Sequence, residues 1–207
     1  MSSIEPNPEA EQPVKLIYSR RAARESAMQA IYCMDTPGVD RTEVLYDAMT
    51  RYSFAPELCN LIRAMFEGVM KNRNALDEII IPLLSADWDY HRISKVDRAI
   101  LRLATYEIYH DPTMPPKVSI NEAVDLAKKF GSPENGRFVN GLLGQLLKDS
   151  PKATWVPSAE APEVTEDEDE AELPVLIEPD PEETIEDGSK EHKTIMRSGA
   201  WVLKQED

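Results

Sequence analysis

The feature that most restricts the fold is a set of three punctuated helical segments between Val96 and Leu147. Val96, Ile100, Leu103 or Ala104, and Glu107 or Ile108 recur every three to four residues, which gives the first segment a wide apolar stripe. A proline-marked turn ends it at Pro112, Pro115 and Pro116. Ser119 and Glu122 stand at capping-box spacing, so the spacing predicts a second helix that begins at Ser119. Gly131 follows Phe130, the last apolar residue, where a left-handed C-terminal residue is predicted. Ser132-Pro133 predicts the start of the third helix, because proline suits a first helical position.

The upstream chain repeats this grammar. Ala23, Ala27, Ala30, Ile31 and Met34 form one side of a helix from about Ser19 to Met34, closed by Pro37-Gly38. Val44, Leu45, Ala48 and Met49 predict a second helix over about 41–52. Pro56 opens a third, with the broadest stripe of the chain: Leu58, Leu61, Ile62, Met65, Phe66, Val69 and Met70. Leu76, Ile79, Ile80, Leu83 and Leu84 predict a short fourth helix bent or ended by Pro82, and 86–93 reads as a loop around Trp88. The sum is an all-α protein of about seven helices, with no strand alternation and no internal repeat. The densest apolar run, Ile79-Ile80-Ile81-Pro82-Leu83-Leu84, is far too short to cross a membrane.

Charge is unevenly placed. The formal net charge is −15, yet residues 151–207 hold 17 acids and 5 bases, against 21 acids and 18 bases in residues 1–150. The acidity belongs to the tail, so the low pI does not exclude a nucleic-acid partner for the rest. Residues 158–191 are dense in Glu, Asp and Pro and are expected to be disordered, since they bury too little apolar area to offset the entropy of ordering. Thr194–Leu203, with Ile195, Met196, Trp201, Val202 and Leu203, is an apolar end segment that could anchor the tail. Residues 1–17 read as a disordered, proline-broken leader without the pattern of a secretory signal. Cys33 and Cys59 lie within predicted helices and read as reduced, small apolar residues of a cytoplasmic protein.

Catalytic chemistry finds no foothold. His91, His110 and His192 are scattered, the cysteines lack ligand spacing, and there is no glycine-rich phosphate loop or Gly-x-Ser-x-Gly elbow, so no metal or cofactor is expected. The positive signal is Arg20, Arg21 and Arg24 in the first turns of a helix, where the macrodipole disfavours positive charge. A solvated helix start is one reading. The other is phosphate contact, for which guanidinium offers planar, bidentate donors. Phe138, with Asn135, Arg137, Lys128 and Lys129 near it in sequence, is either a core residue or a platform on which a base stacks. Asn140-Gly141 reads as a close helix contact.

Val96-Asp97-Arg98-Ala99-Ile100-Leu101-Arg102, Val118-Ser119-Ile120-Asn121-Glu122-Ala123, Ala127-Lys128-Lys129-Phe130-Gly131 and Phe138-Val139-Asn140-Gly141 together resemble the NusB family of bacterial antitermination factors. So does the run from Arg20 to Tyr32, and the resemblance spans roughly 18–149, leaving 150–207 outside. It implies two small helical bundles packed together and no enzymatic activity. It further implies a domain that pairs with NusE, a small-subunit ribosomal protein, on a single-stranded boxA-like element of nascent ribosomal RNA. That assembly would join elongating RNA polymerase with other Nus factors, the protein itself being monomer or homodimer. On this resemblance Arg20, Arg21, Arg24, Lys117, Arg137 and Phe138 would meet RNA, and Tyr32 and Asp97 would face NusE. Glu134 departs from the Asp or Asn of the family and adds negative charge there. Without the resemblance, Tyr32 would be core and Asp97 a first-turn carboxylate favoured by the dipole. The competing reading is a helical protein-interaction adaptor without RNA affinity, for instance in ribosome assembly.

Overall fold

The computed structural model describes residues 16–84 and 90–155, with backbone alone at His91, 176–177 and 202–203. Six α-helices make up the body: α1 (Arg20–Cys33), α2 (Arg41–Thr50), α3 (Pro56–Ile80), α4 (Lys95–His110), α5 (Pro116–Phe130) and α6 (Pro133–Lys148). Single 3-10 turns follow α3 at Ile81–Leu83 and precede α4 at Tyr90–Arg92. Capping residues set most of the starts. The side chains of Ser19, Asp40, Ser94 and Ser132 accept the N–H groups of Ala22, Thr42 and Glu43, Asp97 and Asn135, respectively. Pro56, Pro116 and Pro133 occupy first-turn positions, where a missing N–H costs nothing.

Helix α4 is the hub. It touches α1, α3, α5 and α6, and every residue from Ala99 to Thr105 is buried. Ile31, Phe66, Ile100, Leu101 and Leu143 are among the fully buried side chains of one continuous core. A helix enclosed this way must satisfy its polar residues internally, and α4 carries Arg102 and Glu107 at 3% and 1% exposure. Those two residues organise the sites described below.

The details depart from the sequence expectation in several places. The fourth helix predicted over Leu76–Leu84 is the end of α3, which runs unbroken for 25 residues. The polar stretch Lys71–Asn74 contains no breaker, and Pro82 falls in the 3-10 turn beyond it. Helix α5 begins at Pro116 and not at Ser119: Pro115 takes the cap position, and Ser119 is buried within the helix. Glu122 therefore caps nothing and is free to pair with α1. Gly131 has φ −129, not a left-handed value; its lack of a side chain matters because a Cβ would lie 2.8 Å from the Ala127 carbonyl oxygen. Gly141 makes no close helix contact, whereas at Gly68 a Cβ would meet the Tyr106 ring at 2.1 Å.

The body also reaches further at both ends than 18–149. Ile17 donates to the Ser53 carbonyl at 2.7 Å and accepts from Ala55 at 2.9 Å, tying the entry strand to the α2–α3 loop. Beyond α6 the chain turns back through Ser150–Trp155, and Lys152 is buried. A two-residue antiparallel ladder pairs β1 (Leu176–Ile177) with β2 (Val202–Leu203), which the sequence patterning does not show. The leader 1–15, Trp88 and the rest of the expected disordered tail lie outside the described residues.

Candidate nucleic-acid interface

The arginine run of α1 splits by depth. Arg24 is 4% exposed. Its Nε donates to Glu107 Oε1 at 2.8 Å, and its Nη1 donates to Glu122 Oε2 at 3.3 Å. Arg24 is thus not the outward phosphate contact that its position in the run predicts. Helix periodicity turns it towards α4, and the apparent mismatch with the helix dipole is answered from inside by two carboxylates. Arg21 lies between the two extremes. Its Nη2 donates to Asp125 Oδ2 at 2.7 Å and to Glu122 Oε1 at 3.4 Å, with 41% of the side chain still exposed. Burial opposes its charge, but Glu122 and Asp125 outweigh that effect and raise its pKa. Arg20 is exposed and enters no ion pair among the described residues.

Helix α5 carries this surface across to α6. Lys128 Nζ lies 3.5 Å from Asp125 Oδ1, so one carboxylate joins Arg21 to Lys128. The Lys128 side chain then lies over Gly136, where a Cβ would come within 2.8 Å of its Cγ. Arg137 follows directly and is exposed, and Phe138 is half-buried against the core. Lys117, at the opening turn of α5, is exposed as well. Arg21 and Lys128 thus meet through Asp125, and Lys128 reaches Gly136, so α1, α5 and α6 adjoin at this point, with exposed Arg20 next to Arg21 and exposed Arg137 next to Gly136 in sequence. Glu122, Asp125 and the exposed Glu134 lie on the same helices and temper the positive charge there. The packing of Phe138 against the core fits the core reading of that residue.

Asp97 and Tyr32 sit elsewhere. Asp97 is 5% exposed; its Oδ2 accepts from Ser94 Oγ at 2.8 Å and from Asn135 Nδ2 at 2.7 Å, joining the start of α4 to the start of α6. This matches the first-turn carboxylate reading, and only its Oδ1 lacks a hydrogen bond. Tyr32 is half-buried near the far end of α1.

At that far end lies a second arginine centre. Asp35, just past α1, accepts from Arg73 at 2.5 Å, Arg102 at 3.0 Å and Arg98 at 3.2 Å. Arg102 also grips Asp77 with both Nε (2.7 Å) and Nη2 (2.8 Å), and the Tyr90 hydroxyl donates to the same carboxylate at 2.5 Å. An open cleft of about 410 Å³ borders this centre. Among the described residues there is no group of three or more His, Cys, Asp or Glu that could hold a metal, and no helix long and apolar enough to cross a membrane.

A model described as the NusB family matches residues 21–148. The chain belongs to the NusB family. A NusB transcription antitermination protein of Dehalococcoides mccartyi (strain CBDB1) is 42% identical over 130 residues, covering 63% of this chain and 90% of the relative. Among solved structures, T. maritima NusB superposes with a TM-score of 0.60 at 30% identity, over 67% of this chain and 97% of that one. A crystal structure of antitermination factors NusB and NusE in complex with dsRNA superposes with a TM-score of 0.56 at 26% identity, over 62% of this chain and 96% of its own. These relatives are named as transcription antitermination proteins and antitermination factors.

Sequence reasoning gave Glu107 and Glu122 other roles, noted Lys128 only as a neighbour of Phe138, and missed Asp125. One signal was available: Glu107 falls on the apolar stripe of α4, and a carboxylate there demands a buried partner.

Proposed function

We propose that this chain acts in transcription antitermination by gripping single-stranded, boxA-like RNA of a nascent ribosomal transcript on its α1–α5–α6 face, together with a NusE-type protein, within the elongating RNA polymerase complex. The observation that supports the reading is the link from Arg21 through Asp125 to Lys128, with Lys128 packed over Gly136, which brings α1, α5 and α6 together beside the exposed cations Arg20 and Arg137. Arg20, Arg21, Lys117 and Arg137 hold phosphates, and the exposed part of Phe138 receives a base; stacking of this kind contributes about 1–3 kcal/mol per base. Arg24 acts one layer down, fixing α1 against α4 and α5 so that the outer cations are placed. Tyr32, and Asp97 through its hold on the start of α6, belong to the NusE-facing side.

A single strand suits this face because unpaired bases can be splayed onto an aromatic ring, whereas a duplex keeps its bases stacked inside. The related complex of NusB and NusE holds dsRNA, so strand preference is part of the test. Fluorescence anisotropy with a labelled boxA-like single strand, with and without NusE and against a duplex of the same sequence, decides the matter. Salt-sensitive binding that favours the single strand and tightens with NusE supports the reading. NusE binding without RNA affinity at moderate salt would leave the protein-interaction adaptor.

A further inference from the structure

Lys152 lies beyond the family match, which ends at residue 148, yet it is built into the body. It is 8% exposed, and its Nζ donates to the carbonyl oxygens of Glu107 (2.9 Å) and Met114 (2.7 Å) and to that of Asp111. These carbonyls lie at the end of α4 and in the loop after it, where helix carbonyls lack partners and a cation complements the dipole. Ser150 Oγ donates to the Leu147 carbonyl at 2.8 Å, and Trp155 N–H donates to the Lys152 carbonyl at 3.0 Å, so the whole turn is fastened. Burial lowers the pKa of Lys152, while Asp111 and Glu107 act to raise it.

This latch fixes where the tail leaves the body. Lys152 bonds the backbone of Glu107, whose side chain bonds Arg24, which shares Glu122 with Arg21. A short chain of contacts thus leads from the root of the tail to the basic face, and Lys117 follows three residues after Met114. Residues 160–187 hold 14 acids and no Lys or Arg. Glu160 comes five residues after Trp155, a reach of roughly 17 Å when extended. A segment tethered this closely acts at an effective concentration in the mM range.

We propose that the α1–α5–α6 face takes the acidic segment 160–187 of its own chain, rooted beside it by Lys152, so that this segment and RNA compete for Arg20, Arg21, Lys117 and Lys128. The competition rests on the RNA reading above; the docking does not. It accounts for an acidic chain that carries a nucleic-acid face, because the segment lifts from the face only when a more densely charged polyanion displaces it.

Two measurements test it. The first compares the full chain with a chain ending at Trp155, which keeps Lys152 and its contacts, and the melting temperature of each, measured alongside, checks that the body keeps its fold. Ending the chain at Asp149 would remove the latch and confuse lost competition with lost stability. Affinity for the boxA-like single strand is expected to rise roughly 3–10-fold on truncation at low salt and to converge near 0.5 M salt, where charges more than about 4 Å apart are screened. A full-length chain carrying Glu166→Gln, Asp167→Asn, Glu168→Gln, Asp169→Asn and Glu170→Gln is expected to move part of the way. The second measurement is zero-length carbodiimide crosslinking of the full chain at low concentration, read by mass spectrometry. Lys117 or Lys128 is expected to link to acids of 160–187, and RNA is expected to suppress those links. Equal affinities across the salt series, absence of such links, or links that form only between copies would overturn the proposal. If neither protein binds RNA, the RNA reading fails and the crosslinks alone decide the docking.

Discussion

The two ends of α1 carry charges of the wrong sign for their helix, and each corrects the mismatch differently. At the N-terminus, where the dipole favours acids, Arg21 and Arg24 of the arginine run face the carboxylates of Glu107, Glu122 and Asp125 from α4 and α5. Past the C-terminus, where the dipole favours cations, Asp35 faces Arg73, Arg98 and Arg102 from α3 and α4. The first end corrects only its inner members and leaves Arg20 in solvent. The second encloses its single acid completely, at 3% side-chain exposure. At both ends the buried charges of unfavourable sign are answered from within the body, whereas exposed Arg20 has no such partner among the described residues.

This contrast can be broken from either end. The largest effect is expected at the C-terminal centre. Arg102→Met strips Asp35 and Asp77 of their shared partner, and removing one member of a buried pair costs about 3–5 kcal/mol; thermal denaturation should show the midpoint falling by some 10 °C. At the N-terminal end Arg24→Met leaves Glu107, at 1% side-chain exposure, without its partner and should cost about 3 kcal/mol. Adding Glu107→Leu should restore most of that loss, because a buried ion pair contributes little over an apolar pair of similar volume. If Arg24→Met leaves the melting temperature unchanged, Arg24 is not the internal member of the run.

Cys33, the last residue of α1, sharpens the comparison through pH. Burial, with a smaller contribution from Asp47 and against the pull of Arg51, raises its thiol from 9.0 to about 11. The unfolded thiol ionises first as pH rises, so its stabilising contribution is whole below pH 9 and is lost as pH passes from 9 to about 11. The loss should reach about 2–3 kcal/mol, and Cys33→Ala should flatten that part of an alkaline denaturation profile. A thiol-reactive probe at pH 8 should modify half-buried Cys59 well before Cys33.

Much of the fold could be read from the chain because helix stripes and proline, serine and glycine punctuation are local signals. Ser19, Ser132, Pro56 and Pro133 act as the sequence predicts. The reading failed where one residue type serves two roles. Ser119 and Glu122 have capping-box spacing, but Pro116 starts the helix earlier, and Glu122 becomes the acceptor for Arg21 and Arg24. Which arginine of the run turns inward depends on where Glu107 and Glu122 arrive in space, over separations of 83 and 98 residues, and no local pattern holds that information. Lys152 lay outside any helix stripe, so its burial had no periodic signal.

The central claim is that the arginine run divides into an inner scaffold and an outer RNA contact. The salt dependence of RNA affinity for Arg20→Ala, measured beside its melting temperature, tests this most directly. The account predicts an unchanged melting temperature, weaker binding, and a slope of log K against log salt shallower by about 0.7, the signature of one lost phosphate contact on a single strand. An unchanged slope and affinity would contradict it.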